Sequence, residues 1–370
     1  MNNSVPDKSI RICFVSLKAY PLFNPSVEAI FGGAEVDLYL LATELAKDKN
    51  FEVSFVVGDY GQDHVEIREN VTLIKSANVS KNLFLGSRKI WSALKKADAD
   101  IYMDEACSLG TALYALFCKK NDRKFVYRTA HTRECDGTYF RQYAFRGKAV
   151  LWAFRSAHKL LVQNEIDSEN LFRTTQLPST VICGTMRLPE IRHQDRDTIL
   201  WVARSAGVKQ PELFFKIAKE IPEEHFTMIC PKATGDDRYD KLIAKAETIK
   251  NLEFIQGVHF HGLDSFFARA RIFVNTSESE GFPNTYIHAC KCAIPILSLK
   301  VNPDGFLDKH QCGMCANNDW NRFKDMLNKL LEPETNNFYG GNGRRYVEET
   351  HDIRKIAEKY KEIFGDLVSS

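Results

Sequence analysis

The sequence has no long hydrophobic run. Its longest strongly apolar, uncharged stretch, Ala106 to Cys118, is 13 residues, well short of the ~20 that a membrane-spanning helix needs. It has no surplus of one charge: 50 Lys and Arg face 48 Asp and Glu, a net of +2. A dedicated nucleic-acid binder needs a basic excess to neutralise phosphates, so that class is excluded. The opening MNNSVPDKSI lacks the apolar segment of a signal peptide, and a cytoplasmic protein is expected. No repeat or low-complexity tract appears. The ten cysteines are scattered. Without an export signal they are expected as reduced thiols, not as a disulfide frame. The sequons Asn78-Val-Ser80 and Asn275-Thr-Ser277 then carry no meaning as glycan acceptors.

What is present is an alternation. Across 370 residues, 44% of them hydrophobic, short apolar runs of strand length take turns with amphipathic segments. Strands are expected at 12–16, 53–57, 71–74, 101–103, 125–127 and 160–162, with helices at 35–46, 87–97, 109–120, 140–157 and 165–174. A second series follows, with strands at 199–203, 226–230, 252–255, 272–275 and 294–298. Helices at 211–220, 237–249 and 263–270 separate its members. Such alternation predicts mostly parallel sheets covered on both faces, an α/β class. The polar, Pro-containing stretch 183–197 reads as a linker. The expected domains are 1–183 and 184–345, with a tail at 346–370 and the helices before it broken at Gly340-Gly-Asn-Gly343. Tandem doubly wound domains normally bind ligand at strand C-terminal ends, in the cleft between them.

Three constellations carry chemistry. Gly32 and Gly33 lie between the first strand and its helix, where a helix N-terminus offers N–H groups and a positive dipole end to a phosphate. A plain turn is the alternative. Arg204 and Lys209 follow the strand at 199–203 and have the charge to offset a departing diphosphate. A solvated surface pair is the alternative. Ser277-Glu-Ser-Glu280-Gly-Phe-Pro-Asn284 enters a helix. Glu280 can accept from sugar hydroxyls beside the backbone amides of Gly281, Phe282, Pro283 and Asn284 as far as each has an N–H. A simple acidic helix cap is the alternative.

In this order, FGGAE, the Arg204/Lys209 pair and EGFPN resemble the pattern of glycosyltransferase family 4. The likeness runs from about Ile10 to Tyr360. It implies the GT-B fold: two Rossmann-like, doubly wound domains with a cleft between, and a C-terminal helix crossing back to the first. It also implies a retaining transferase that moves a sugar from a nucleoside diphosphate to a glycan or lipid-linked acceptor, in bacterial cell-surface polysaccharide assembly. By this resemblance Gly33, Arg204 and Lys209 hold the donor diphosphate, while Glu280 and the following amides hold the sugar. His131 matches a histidine that reaches the sugar hydroxyls, although a structural histidine is the usual reading of that position alone. The fold family implies no metal and no resident cofactor, and the domains are expected to close on the donor.

The sequence departs from the family at His288, where a second Glu usually holds the nucleotide ribose. Weaker or titratable donor binding, a different donor, or a lost activity all remain open. A non-catalytic nucleotide-sugar binder on the same fold is the rival, and His288→Glu is expected to keep or improve donor affinity. Cys183-Gly184 replaces the usual Asn-Gly.

Other signals are discounted. Asp98-Ala-Asp100 precedes a strand, so it reads as a solvated helix end and not a metal site. Cys290-Lys-Cys292 with Cys312-Gly-Met-Cys315 is a poor zinc pattern. One signal stays open. Gly137 to Asn164 contains five Lys or Arg and no acid, interleaved with aromatic residues. Arg141, Arg146 and Lys148 there suit a peripheral contact with the inner membrane; a core helix with a basic rim is the alternative.

Overall fold

The computed structural model describes residues 9–29, 31–78, 83–188, 196–233, 235–258, 262–280 and 282–369. The chain divides into two units, one formed by the stretch up to Arg187 with His351 onward, the other by Leu188–Thr350.

The first unit holds an eight-stranded sheet. Its strands are β1 (Ile10–Val15), β2 (Phe51–Val57), β3 (Val65–Arg68), β4 (Val71–Lys75), β5 (Ile101–Glu105), β6 (Lys124–Arg128), β7 (Lys159–Val162) and β8 (Thr180–Val181). Their order is β3-β4-β2-β1-β5-β6-β7-β8. All pairings are parallel except β3 with β4. The central strands are largely apolar and buried on both faces, as parallel sheets covered by helices require; the acids Asp104 and Glu105 close β5. The order reverses between β1 and β5, so the ligand crevice of this unit is expected at their C-terminal ends.

The second unit holds six parallel strands: β9 (Thr198–Val202), β10 (His225–Ile229), β11 (Leu252–Ile255), β12 (Ala270–Asn275), β13 (Ile296–Ser298) and β14 (Gly313–Cys315). The order β11-β10-β9-β12-β13-β14 puts its reversal between β9 and β12. The α/β, doubly wound expectation therefore holds in both units. Short β3, β8 and β14 were not among the expected strands. They are two to four residues long and lie at or next to sheet edges, too short for an apolar periodicity to register.

Three expectations need correction. The helix expected at 140–157 is two helices, Thr138–Gln142 and Ala144–Ser156, split at Tyr143, whose backbone leaves the helical region at φ −122° and ψ 79°. Gly340-Gly-Asn-Gly343 does not break its helix, which runs unbroken over Pro333–Thr350. Gly340 and Gly343 serve packing. A Cβ at Gly340 would lie 2.3 Å from the Ala293 carbonyl oxygen, and one at Gly343 would lie 3.0 Å from Cys290 Sγ. Glycine lets this helix lie directly on the helix Asn284–Lys291. Finally, 346–350 end that same helix, so the tail proper starts later. Met186 and Asp352 form a parallel bridge, and the last helix is Ile353–Ser369. It belongs to the first unit, where Ile353, Ile356, Tyr360 and Phe364 join the core under β1 and β2. Lys361 meets Asp48 at 2.7 Å.

All ten cysteines are free thiols. Among the described residues no helix is long and apolar enough to cross a membrane.

Candidate functional site

In the second unit the loops after β9 and β12 meet at the crevice. A 3-10 turn at Gly207–Lys209 follows β9 and leads through Gln210, left-handed at φ 48°, into the helix Pro211–Glu220. Buried Thr276, just past β12, pins this turn. Its hydroxyl accepts from Trp201 Nε1 at 2.9 Å and donates to the Lys209 carbonyl at 2.8 Å. The Glu278 N–H donates to the Val208 carbonyl at 2.8 Å. These bonds fix the Lys209 backbone against the segment bearing Glu280.

The side chains then meet directly. Lys209 Nζ lies 2.6 Å from Glu280 Oε2. Glu280 Oε1 accepts from Ser277 Oγ at 2.6 Å and Asn275 Nδ2 at 3.0 Å. Burial pushes the Glu280 carboxyl up. The hydrogen bonds from Lys209, Ser277 and Asn275 outweigh that and hold it below its ordinary value. Glu280 therefore stays ionised. With three donors on about four acceptor positions, one position remains for a ligand hydroxyl. Lys209 keeps two of its three donors. Arg204 is exposed in the same loop after β9.

The helix Asn284–Lys291 starts where this loop ends. Pro283 is buried and Asn284 exposed at its first turn. Phe282 is half exposed, with its ring edge-on to Phe306 at 5.0 Å. Gly281 lies outside the described residues. The far end of the helix is anchored. Arg196 donates to the carbonyls of Cys292 and Ala293, at 2.6 and 2.8 Å, and Arg344 to that of Lys291.

His288 is turned toward the helix Leu263–Arg269. Its Nδ1 lies 3.5 Å from Asp264 Oδ1, and its ring stacks on Phe267 with centroids 5.4 Å apart. Lys291 Nζ reaches the other oxygen of Asp264 at 2.7 Å. Burial pushes the Asp264 carboxyl up, but His288 and Lys291 outweigh it and hold it at about 2. The imidazole thus faces a carboxylate of its own unit.

In the first unit Gly32 and Gly33 are exposed at the start of the helix Gly33–Leu45. The expected free amides are only partly free. Gly32 N–H donates to Glu35 Oε2 at 2.7 Å, so a carboxylate of the first turn already sits at this dipole end. Gly33 keeps a first-turn N–H, a group with no intrahelical acceptor. His131 is exposed in the loop after β6. It caps a 3-10 turn, with its Nδ1 accepting from the Arg133 N–H at 3.4 Å. Glycines and histidine both lie on the C-terminal edge of the sheet.

Arg141, Arg146 and Lys148 are exposed. Their aromatic neighbours divide. Phe154 is buried with Tyr139 and Phe140 packed nearby, whereas Phe145 is 80% exposed and Trp152 and Tyr143 are partly so. Asp98 and Asp100 are ion-paired to Arg11 and Arg123 at the N-terminal edge, a structural use.

Asn275, Thr276 and Asp264 were missed in the sequence. By sequence Asn275 reads only as part of a sequon. It is buried, and it holds both Glu280 and the Ser277 N–H. A polar Asn-Thr-Ser closing an apolar strand at a crevice was the available signal.

Residues 187–359 match the family model described as Glycosyl transferases group 1. A Xenopus tropicalis protein, "Glycosyltransferase 1 domain-containing protein 1", is 24% identical over 185 residues, 48% of this chain; the chain spans about half (53%) of that curated relative. Among solved structures, sucrose-phosphate synthase from Thermosynechococcus elongatus superposes with a TM-score of 0.70 at 16% identity, covering 97% of this chain and 99% of that one. WaaG, a glycosyltransferase involved in lipopolysaccharide biosynthesis, gives 0.61 at 15% identity, covering 95% and 99%. The family match thus lies on 187–359, and the solved structures show that the chain has the GT-B fold.

Proposed function

We propose that the chain is a retaining, family 4 glycosyltransferase that takes a sugar from a nucleoside diphosphate. The observation that carries this is the Lys209–Glu280 pair at the β9/β12 crevice, with Arg204 exposed in the same loop as Lys209. A cation for a diphosphate and an ionised acceptor for sugar hydroxyls are held together by a buried frame. Lys209 and Arg204 offset the charge that grows on the diphosphate as the sugar–oxygen bond breaks. The acceptor oxygen bonds the sugar carbon on the same face, and its proton passes to the departing phosphate oxygen. No side-chain base is needed for that step. The cations supply the charge that a metal would otherwise bring, so we assign no cofactor. Gly33, His131 and the amides after Glu280 are assigned to the donor by the family resemblance.

The acceptor is a glycan or lipid-linked sugar, and the setting is bacterial cell-surface polysaccharide assembly. The likeness to a lipopolysaccharide glycosyltransferase supports that setting. Exposed Phe145 with Arg141, Arg146 and Lys148 supports a peripheral membrane contact, a ring for the interface and cations for anionic headgroups. The commitment of His288 to Asp264 supports a second reading, a nucleotide-sugar binder without turnover, because an imidazole held this way is a poor replacement for a ribose-holding carboxylate.

A thermal-shift panel of UDP-, GDP- and ADP-sugars tests the proposal. A ligand at a hundred times its dissociation constant stabilises by about 2.7 kcal/mol. Stabilisation by one donor, with slow release of free sugar in the absence of acceptor, is the expected result. Stabilisation without release, even with acceptors supplied, selects the binder. No shift with any donor refutes both.

A further inference from the structure

In a parallel α/β unit, strands begin and helices end on the same edge. In the first unit that edge collects cations. The helix Leu83–Ala97 ends on Lys95 and Lys96, and the helix Leu109–Lys120 on Lys119 and Lys120. β6 opens with Lys124, preceded by Arg123, and Arg11 lies at the start of β1. Lysines in a last helical turn usually do no more than complement the dipole. Two observations here go further.

First, the acids nearest the cavity are already engaged; Asp122, also on this edge, does not line it. Asp98 and Asp100 are shared between Arg11, at 2.8 and 2.7 Å, and Arg123, at 2.6 and 3.4 Å. Two acids and two guanidiniums cancel and fix one another. Among the described residues no ion pair engages Lys95 or Lys96, and both are exposed. Second, a cavity of about 440 Å³ opens between the two helix ends. Lys95, Lys96 and Arg123 line it against a single acid, Asp98, over the rings of Phe117 and Tyr102. The Tyr102 hydroxyl is occupied: it donates to the Leu94 carbonyl at 2.7 Å and accepts from the Ala99 N–H at 3.0 Å. Asn121 also lines it, with its Nδ2 donating to the Phe117 carbonyl at 2.8 Å. The lysine ammoniums are therefore the charged donors that no ion pair engages among the described residues, and they bring a net positive field.

We propose that this cavity binds a phosphate-bearing anion. Lys95 and Lys96 donate to its oxygens, and Arg123, held by Asp98 and Asp100, adds charge from a fixed position. The site lies on the edge of the sheet opposite Gly33 and His131. An occupant would not compete with a donor for those residues, and the inference does not depend on the proposed transferase activity.

The test removes the other cationic pocket first. The full chain carrying Arg204→Ala and Lys209→Ala is titrated calorimetrically with inorganic pyrophosphate, and one binding event is expected. Adding Lys95→Glu and Lys96→Glu should weaken it about tenfold or more. Lys95→Arg with Lys96→Arg should retain it, which separates lost charge from lost folding. A second arm measures sedimentation with phosphatidylglycerol vesicles. Loss on charge reversal in calorimetry alone identifies a free phosphate compound. Loss in both arms, with pyrophosphate displacing the protein from vesicles, identifies a lipid headgroup. Pyrophosphate that does not bind, or binds equally well after the charge reversal, overturns the site.

Discussion

Gly340 and Gly341 are neighbours in one helix, yet alanine should act on them in opposite directions. In an exposed helix interior, Gly→Ala gains about 1 kcal/mol through reduced backbone entropy. Gly341 is exposed, and a Cβ there meets nothing within 4 Å. It should collect that gain. At Gly340 the added Cβ falls 2.3 Å from the Ala293 carbonyl oxygen and 2.9 Å from its carbon. Ordinary contact begins near 3.4 Å, so the helix Pro333–Thr350 must move off the segment at Ala293, just past the helix Asn284–Lys291, by about an ångström or distort. Backbone cannot rotate aside as a side chain can. Overpacking of this kind costs about 1–3 kcal/mol or more, which offsets the propensity gain and exceeds it. A unit of this size shifts its melting temperature by about 2–4 °C per kcal/mol. Gly341→Ala should therefore melt about 2–4 °C higher and Gly340→Ala several degrees lower, in calorimetric scans of the full chain. The mobilised helix begins at Asn284, so Gly340→Ala should also weaken donor binding, whereas Gly341→Ala should not. A Gly340→Ala chain as stable as Gly341→Ala would refute the reasoning.

Three further outcomes follow from the site. Thr276→Val removes the hydroxyl that joins Trp201 to the Lys209 carbonyl and strands a buried indole N–H. It should cost about 1–3 kcal/mol in urea unfolding and raise the donor dissociation constant, while Thr276→Ser should rescue both. Lys209→Met removes the cation that holds Glu280 ionised, so donor binding should fall and become pH-dependent near the upper carboxylate range. Binding that is unchanged and flat with pH would sink the assignment. Asp264 is held at about 2, below its ordinary 3.8. Its contribution to stability is fully present above the ordinary value and is lost as pH falls toward 2. Asp264→Asn should flatten that limb of an acid-unfolding curve by about 1 kcal/mol, a figure reduced for the half-exposed carboxylate.

The architecture was legible because burial leaves a periodic trace. β5 opens on the apolar run Ile101–Met103 and β9 is apolar after Thr198, and the helices between strands carry their apolar stripes, so their positions could be read within a few residues. The elements that escaped carry little such trace. β8 is two residues long, and β3 alternates on an exposed edge. The Gly340 to Gly343 stretch misled for a different reason. Glycine is a poor helix former in isolation, and only the neighbouring helix, distant in sequence, shows why a side chain is forbidden there.

The site divides along the same line. Arg204, Lys209 and Glu280 could be picked out as chemistry at strand ends, but not the pairing of the last two, which depends on Thr276 tying two loops 67 residues apart. His288 shows how far one residue can be judged without its partner. By pattern alone, His288→Glu restores an expected carboxylate. In the structure that carboxylate would face Asp264 from a position where Nδ1 now lies at 3.5 Å, with Lys291 left to serve both acids. Any gain in ribose binding must therefore exceed a like-charge cost within the unit. The two effects separate by measurement. His288→Glu should lower unfolding stability at neutral pH and recover it when Asp264→Asn removes the opposing charge. Donor affinity in the double variant then reports what position 288 does for the ligand. If the single variant is as stable as the native chain, the His288–Asp264 contact has no electrostatic weight and the like-charge argument fails.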